Sequence, residues 1–122
     1  MRQQNALRYR QLITDCGLDQ VISLPTVNET AGHVWHQFTI RIPDGRRDEV
    51  RAKLAEMNVG SEVYYPVPLH QQECFKHLKV DPAAMIETSR AAGEVLSLPI
   101  FPELTEAEQV YVVECLKTIL PN

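Results

Sequence analysis

His33-Val34-Trp35-His36-Gln37-Phe38-Thr39-Ile40-Arg41-Ile42 is the stretch on which the fold turns. Val34, His36, Phe38, Ile40 and Ile42 recur at every second position, with Trp35, Gln37, Thr39 and Arg41 between them. That period of two predicts a strand from His33 to Ile42 with one buried and one open face. In this register His36 is a core histidine, and His33 and His36 fall on opposite faces and cannot chelate one ion together. A loop over residues 18–32, punctuated by Pro25, Asn28 and Gly32 and holding one edge strand, precedes it, and Pro43-Asp44-Gly45 is a turn signal after it.

Upstream, Ala6, Tyr9, Ile13 and Cys16 keep the three-and-four spacing of a helix face, so a helix is expected from Arg2 to Cys16 with Gly17 as its left-handed stop. No Ser, Thr, Asp or Asn caps its start. Downstream, Val50, Leu54 and Met57 mark a helix over 46–57, stopped by Asn58-Val59-Gly60. Ser61 to Tyr65 reads as a short second strand, from which Pro66-Val67-Pro68 leads the backbone away in extended form. Two short helices are expected over 70–78 and 82–92, the second capped by Asp81, begun by Pro82 and closed by Gly93. Val95 to Leu98 is a third strand. Thr105 and Glu108 form a capping box for a last helix whose face of Val112, Val113, Leu116, Ile119 and Leu120 ends before Pro121. The order predicts an α+β fold: a small sheet of about three strands with helices packed on one side.

The bulk properties set the frame. With 122 residues, 44% hydrophobic and 23% charged, the chain has material for one core. Its net charge of −4 argues against a nucleic-acid partner, although Arg2, Arg8, Arg10, Arg41, Arg46, Arg47, Arg51 and Lys53 could form a local basic patch. Three widely spaced cysteines, Cys16, Cys74 and Cys115, do not make a disulfide framework and fit a reducing cytoplasm. The polar, basic start lacks an apolar leader core, and no apolar run reaches the ~18 residues of a membrane span, so neither export nor a membrane partner is expected.

The segment from Val59 to Gln72 sets two tyrosines, a histidine and glutamines beside proline-stiffened backbone. Two readings stand side by side: a loop that presents polar groups to a ligand, or a connection in which Tyr65 packs on a neighbouring helix and His70 starts the next one. His70, Cys74 and His77 would share a helix face, but no fourth ligand for a structural zinc is evident and no metal is expected. Phosphate-loop, dinucleotide-turn and nucleophilic-triad motifs are absent. Lys53, Lys76, Lys79 and Lys117 all fall on predicted helices among polar neighbours, without the desolvation that activates a Schiff-base amine.

Three segments in this order resemble the end of the DegT/StrS family, PLP-dependent aminotransferases that make amino sugars on nucleotide carriers. They are His33 to Arg41, Gly60 to Gln72, and Leu96-Ser97-Leu98-Pro99-Ile100-Phe101-Pro102-Glu103-Leu104-Thr105, with an R-D-x-x-x-x-x-L spacing at Arg47 to Leu54 between the first two. The resemblance covers nearly the whole chain. It implies the C-terminal small domain of a fold-type-I PLP aminotransferase, with residues 1–17 the end of the interdomain helix and 18–122 the small domain itself. The family's Schiff-base lysine, its pyridine-facing aspartate and most phosphate contacts lie upstream of anything that matches here. What carries over is the substrate-facing Y-P-x-P-L-H, matched by Tyr65 to His70, so that Tyr65, His70 and Gln72 are the expected substrate-binding residues. Tyr64 stands where the family commonly has histidine, which leaves the sugar open.

The resemblance therefore implies the substrate-facing domain of an enzyme that moves an amino group from glutamate onto a keto-sugar nucleotide. PLP belongs to the parent enzyme, none is expected on this chain alone, and the chain by itself is expected to be inactive. Its partners would be the large domain and a second subunit of the homodimeric parent. One rival is a stand-alone truncated paralogue acting as an interaction module, and another is a small ligand-binding α+β domain with only chance similarity.

Overall fold

The computed structural model describes residues 1–28, 30 and 32–120. The positions Glu29 and Ala31 of the first loop, and the stop assigned to Pro121, lie outside them. Helix α1 (Arg2–Asp15) buries Asn5, Ala6, Tyr9 and Ile13, the face expected from the spacing, and ends at Gly17, whose φ of 77° is the left-handed stop. No side chain caps its start. Strand β1 (Phe38–Arg41) pairs antiparallel with β2 (Val95–Leu98), Phe38 opposite Leu98 and Arg41 opposite Val95. Between them lie α2 (Arg47–Glu56) and α3 (Ile86–Glu94), and α4 (Glu106–Ile119) follows β2.

Local chemistry sets most of the boundaries. Asp44 and Gly45 take positive φ in the turn after β1, and Asn58 does so after α2. There the Val59 amide reaches back to the Leu54 carbonyl at 2.8 Å, which closes the helix end. At α4 the capping box is complete: Thr105 Oγ1 accepts from the Glu108 amide at 3.2 Å, and the Glu108 carboxylate accepts from the Thr105 amide at 2.8 Å. The bonds its carboxylate accepts from the Thr105 amide and hydroxyl hold the Glu108 carboxyl below its usual range.

The core lies between one face of the sheet and three helices. Phe38, Ile40, Leu96 and Leu98 meet Tyr9 and Ile13 of α1, Val50 and Leu54 of α2, and Val112, Val113, Leu116 and Ile119 of α4. Polar clamps fix α1 in place. The fully buried Gln109 donates to the Asn5 carbonyl at 2.8 Å and accepts from Arg8 at 3.1 Å, while the Asn5 amide donates to the Phe101 carbonyl at 2.8 Å. The Tyr9 hydroxyl donates to the Pro99 carbonyl at 2.9 Å, and burial, followed by the charge of Glu108, pushes its pKa up.

The α+β class stands, with corrections to its parts. Among the described residues the sheet has two strands, and the expected Ser61–Tyr65 strand shrinks to one bridge, Glu62 opposite Ser97; Ser23 makes a matching bridge to Arg41 on the other edge. Tyr65 and Pro66 then turn away, since Pro66 has no amide to offer the ladder. The first strand begins at Phe38, five residues later than its alternation predicted. Trp35 has φ of 50°, which breaks the period of two, so Trp35 is buried while Val34 and His36 are exposed. His36 is therefore not a core histidine. The helix expected over 70–78 is two short 3₁₀ turns, Leu69–Gln71 and Glu73–Leu78, separated by extended backbone at Gln72. Lys79 sits after them at φ 47° rather than on a helix. Asp81 caps as expected by accepting from the Ala83 amide at 2.9 Å, but a 3₁₀ turn precedes α3, and α3 runs through Gly93 to Glu94. With no buried residue, α3 adds nothing to the core.

Candidate functional site

The sheet face turned away from the core carries Thr39 and Arg41 from β1, opposite Ser97 and Val95 of β2. Thr39 Oγ1 and Ser97 Oγ share a hydrogen bond of 2.8 Å. Three grooves lie over this face. One, of about 700 Å³, runs between the 65–69 segment and α3 and includes Arg41, Tyr65, Leu69, Thr88, Ala91 and Val95. A second, of about 450 Å³, includes His33, Trp35, His36, Gln37, Thr39 and Tyr65. A third, of about 180 Å³, takes His36 and Gln37 together with Ser61, Glu62, Tyr64 and Ser97. Tyr65 contributes to both larger grooves and is 72% exposed.

Each wall has an identifiable support. The Glu62–Ser97 bridge, with N–H to O distances of 3.0 and 2.8 Å, delivers the chain to the outer face. Pro68 is buried, the Gln72 side-chain amide donates to the Val67 carbonyl at 3.4 Å, and that of Gln71 donates to Ser89 Oγ on α3 at 3.2 Å. Two arginines pin the junction of α3 and β2. Arg41 Nε donates to Glu94 at 2.9 Å, and its Nη2 lies 2.7 Å from the same oxygen as an ion-pair contact without hydrogen-bond alignment. The buried Arg47 donates to the Ala92 and Val95 carbonyls, both at 3.0 Å. A planar guanidinium with several fixed donors suits two diverging carbonyls better than an ammonium does.

Of the three residues expected to touch substrate, Tyr65 lines two of the grooves, and His70 and Gln72 line none of them. Gln72 is occupied in tying its own loop together. His70 is half-buried, and its Nε2 is enclosed with no hydrogen-bond partner among the described residues. The break at Gln72 removes the single helix face that would have carried His70, Cys74 and His77 together. Among the described residues, no group of three or more His, Cys, Asp or Glu is placed to hold a metal ion. Arg41, Thr88 and Ala91 were not singled out as site residues. For Arg41 the signal was present, because alternation from Phe38 puts it beside Thr39 on the open face; nothing local marks the α3 positions.

The residues present do not fit a Schiff-base cofactor. All four lysines are exposed, and Lys53 and Lys76 are held in ion pairs with Glu49 and Glu73. Among the described residues no lysine contributes to the grooves above and no Asp or Glu is buried, so neither a desolvated amine nor an enclosed carboxylate is at hand for a pyridine ring.

A known family model, that of the DegT/DnrJ/EryC1/StrS aminotransferases, matches residues 1–117. The chain belongs to that family. Among relatives, the "Pleiotropic regulatory protein" of Geobacillus stearothermophilus is 43% identical over 93% of this chain and 30% of its own length. A dTDP-3-amino-3,4,6-trideoxy-alpha-D-glucose transaminase of Micromonospora megalomicea is 32% identical over 98% of this chain and 32% of its own. The chain thus spans about a third of the length of these relatives. Among solved structures, a DegT DnrJ EryC1 StrS aminotransferase from Brucella abortus superposes with a TM-score of 0.85 at 28% identity, over 99% of this chain and 31% of that one. NtdA of Bacillus subtilis, solved with bound PMP, gives 0.78 at 32% identity, over 93% and 26%. The fold matches the C-terminal domain of fold-type-I PLP enzymes, and the family is PLP-dependent. No helix among the described residues is long and apolar enough to cross a membrane.

Proposed function

We propose that this chain is the C-terminal, substrate-facing domain of a PLP-dependent aminotransferase that passes an amino group from glutamate to a keto-sugar nucleotide in the cytoplasm. Residues 1–17 then end the interdomain helix and 18–122 form the small domain. The observation that carries this reading is convergence: the segments 33–41, 60–69 and 97–100, far apart in sequence, line adjoining grooves on one sheet face around Tyr65. PLP would supply the electron sink for moving the amino group, and its lysine comes from the large domain. The work left to this chain is to bind and orient. Tyr65 offers a hydroxyl and an aromatic face, His70 an enclosed imidazole nitrogen without a hydrogen-bond partner among the described residues, and Gln72 holds the loop that carries both.

The test is a chimera in which this chain replaces the matching third of the Micromonospora transaminase, beside the 122-residue chain alone. The chimera should transaminate a keto-sugar nucleotide, its Tyr65→Ala form should raise KM about tenfold with a smaller change in kcat, and the chain alone should be inert with PLP and glutamate. Transamination by the isolated chain would overturn the reading.

A second reading, a stand-alone interaction module, draws on two observations. One relative carries a regulatory name, and Tyr64, Leu69, Leu78 and Ile86 are each more than half exposed along the arm 64–86. A clean monomer that captures no large domain on size-exclusion would count against it.

A further inference from the structure

Trp35 is held in a conformation its side chain does not favour. Its φ of 50° is left-handed, a region a non-glycine residue enters only at a cost, and an indole cannot offset that with a local hydrogen bond as Asn or Asp can. Something nearby must keep the bend. The Trp35 backbone N–H donates to Nδ1 of His33 at 3.0 Å, and the two rings lie tilted by 40° with centroids 4.2 Å apart. The indole, 6% exposed, packs on Phe38 at 5.6 Å between centroids, with the Arg10 guanidinium 5.9 Å from its ring.

The bend has a consequence for the grooves. Straight extension from Phe38 would turn His36 inward with Phe38 and Ile40. The bend buries Trp35 instead and leaves His36 and Gln37 in the walls of two grooves on the outer face. We propose that His33 is a positioning residue: its unprotonated Nδ1 accepts the Trp35 amide and so keeps His36 and Gln37 turned to the outer sheet face. This rests on the functional reading only in taking that face to meet substrate.

Protonation at Nδ1 turns the acceptor into a donor aimed at another donor, so the bond is lost when the imidazole takes a proton from solvent. Among the described residues, the titratable and charged groups around the two rings are Arg10 of α1, which also donates to the Pro25 carbonyl, and His36 and Tyr65 in the same groove. Gln3 of α1 donates to the His33 carbonyl at 3.5 Å.

Trp35 is the only tryptophan, so its fluorescence reports the bend in the full 122-residue chain. Once acid has protonated the imidazole, which the His33 ring resonances report directly, the emission maximum should move to the red by several nanometres and the Trp35 amide proton resonance should move upfield. His33→Asn, whose Oδ1 can stand in for Nδ1 as acceptor, should keep the high-pH signals throughout, and His33→Ala should show the acid signals at every pH. If His33→Ala does not fold, the wild-type and His33→Asn titrations still decide the matter. The proposal is overturned if the wild-type emission maximum and Trp35 amide stay fixed while the His33 ring resonances titrate. Loss of intensity alone also counts against it, because an adjacent imidazolium can quench an indole without moving the backbone. An inactive chimera leaves this titration intact, and a flat titration leaves the chimera assay intact.

Discussion

Replacing Arg47 by Met tests how far the junction of α3 and β2, and with it one wall of the groove between the 65–69 segment and α3, depends on this buried side chain. Arg47 Nη1 bonds the Ala92 and Val95 carbonyls at 3.0 Å each, and the arginine is 7% exposed. Hydrogen bonds from a charged donor contribute about 1.5–3 kcal/mol apiece. Ala92 and Val95 are half-buried, so water can reach these carbonyls in part, and the expected loss is about 2–4 kcal/mol rather than twice the single-bond figure. For a domain of 122 residues the unfolding entropy makes 1 kcal/mol worth about 4 °C, which puts the fall in Tm at roughly 8–16 °C. Calorimetry gives the total, and hydrogen exchange should show faster opening at Ala92 to Leu96 than along α4. Arg47→Lys, able to reach one carbonyl, should fall between. A Tm for Arg47→Met within about 2 °C of wild type would refute the reasoning.

Three further outcomes follow from the same contacts. Gln109→Ala empties a fully buried site and removes the bonds to Asn5 and Arg8, so chemical denaturation should show a loss of about 2–4 kcal/mol; a loss below about 0.5 would mean that the clamp between α1 and α4 is not needed. Thr105→Ala removes the acceptor at the start of α4 and should cost about 1 kcal/mol by the same measurement. Glu108, whose pKa is lowered in the fold by its bonds from Thr105, contributes stability that is present above its unfolded pKa and lost as pH falls through the lowered folded value. The urea midpoint of wild type should therefore drop more than that of Glu108→Gln between about pH 6 and about pH 3; parallel curves would show that this carboxylate is not linked to folding.

Elements with chemistry of their own were legible in the sequence. The capping box and apolar face of α4, the Gly17 stop of α1, the Asn58 stop of α2 and the β2 strand all sit within a residue or two of where local rules placed them, because caps and periodicity act over a few residues. The order of three motifs pointed to the family, and Tyr65 was found as a groove residue from one of them. The segment 69–85 escaped the same rules. Its residues bury too little to select an α-helix over short 3₁₀ turns, and tertiary packing is what stabilises most helices of that length. Nor could local rules place the buried guanidinium of Arg47 against carbonyls 45 and 48 residues away.

What the sequence determined by itself, then, was the four α-helices, the strand β2, the order of these elements and the family. What the tertiary structure decided was which face each residue serves. Alternation gave His36 to the core; the left-handed turn at Trp35 gave that place to the indole and left His36 at the groove. A pattern of two fixes only that neighbours point to opposite sides, and the choice of side belongs to the core that has room for an indole beside Phe38.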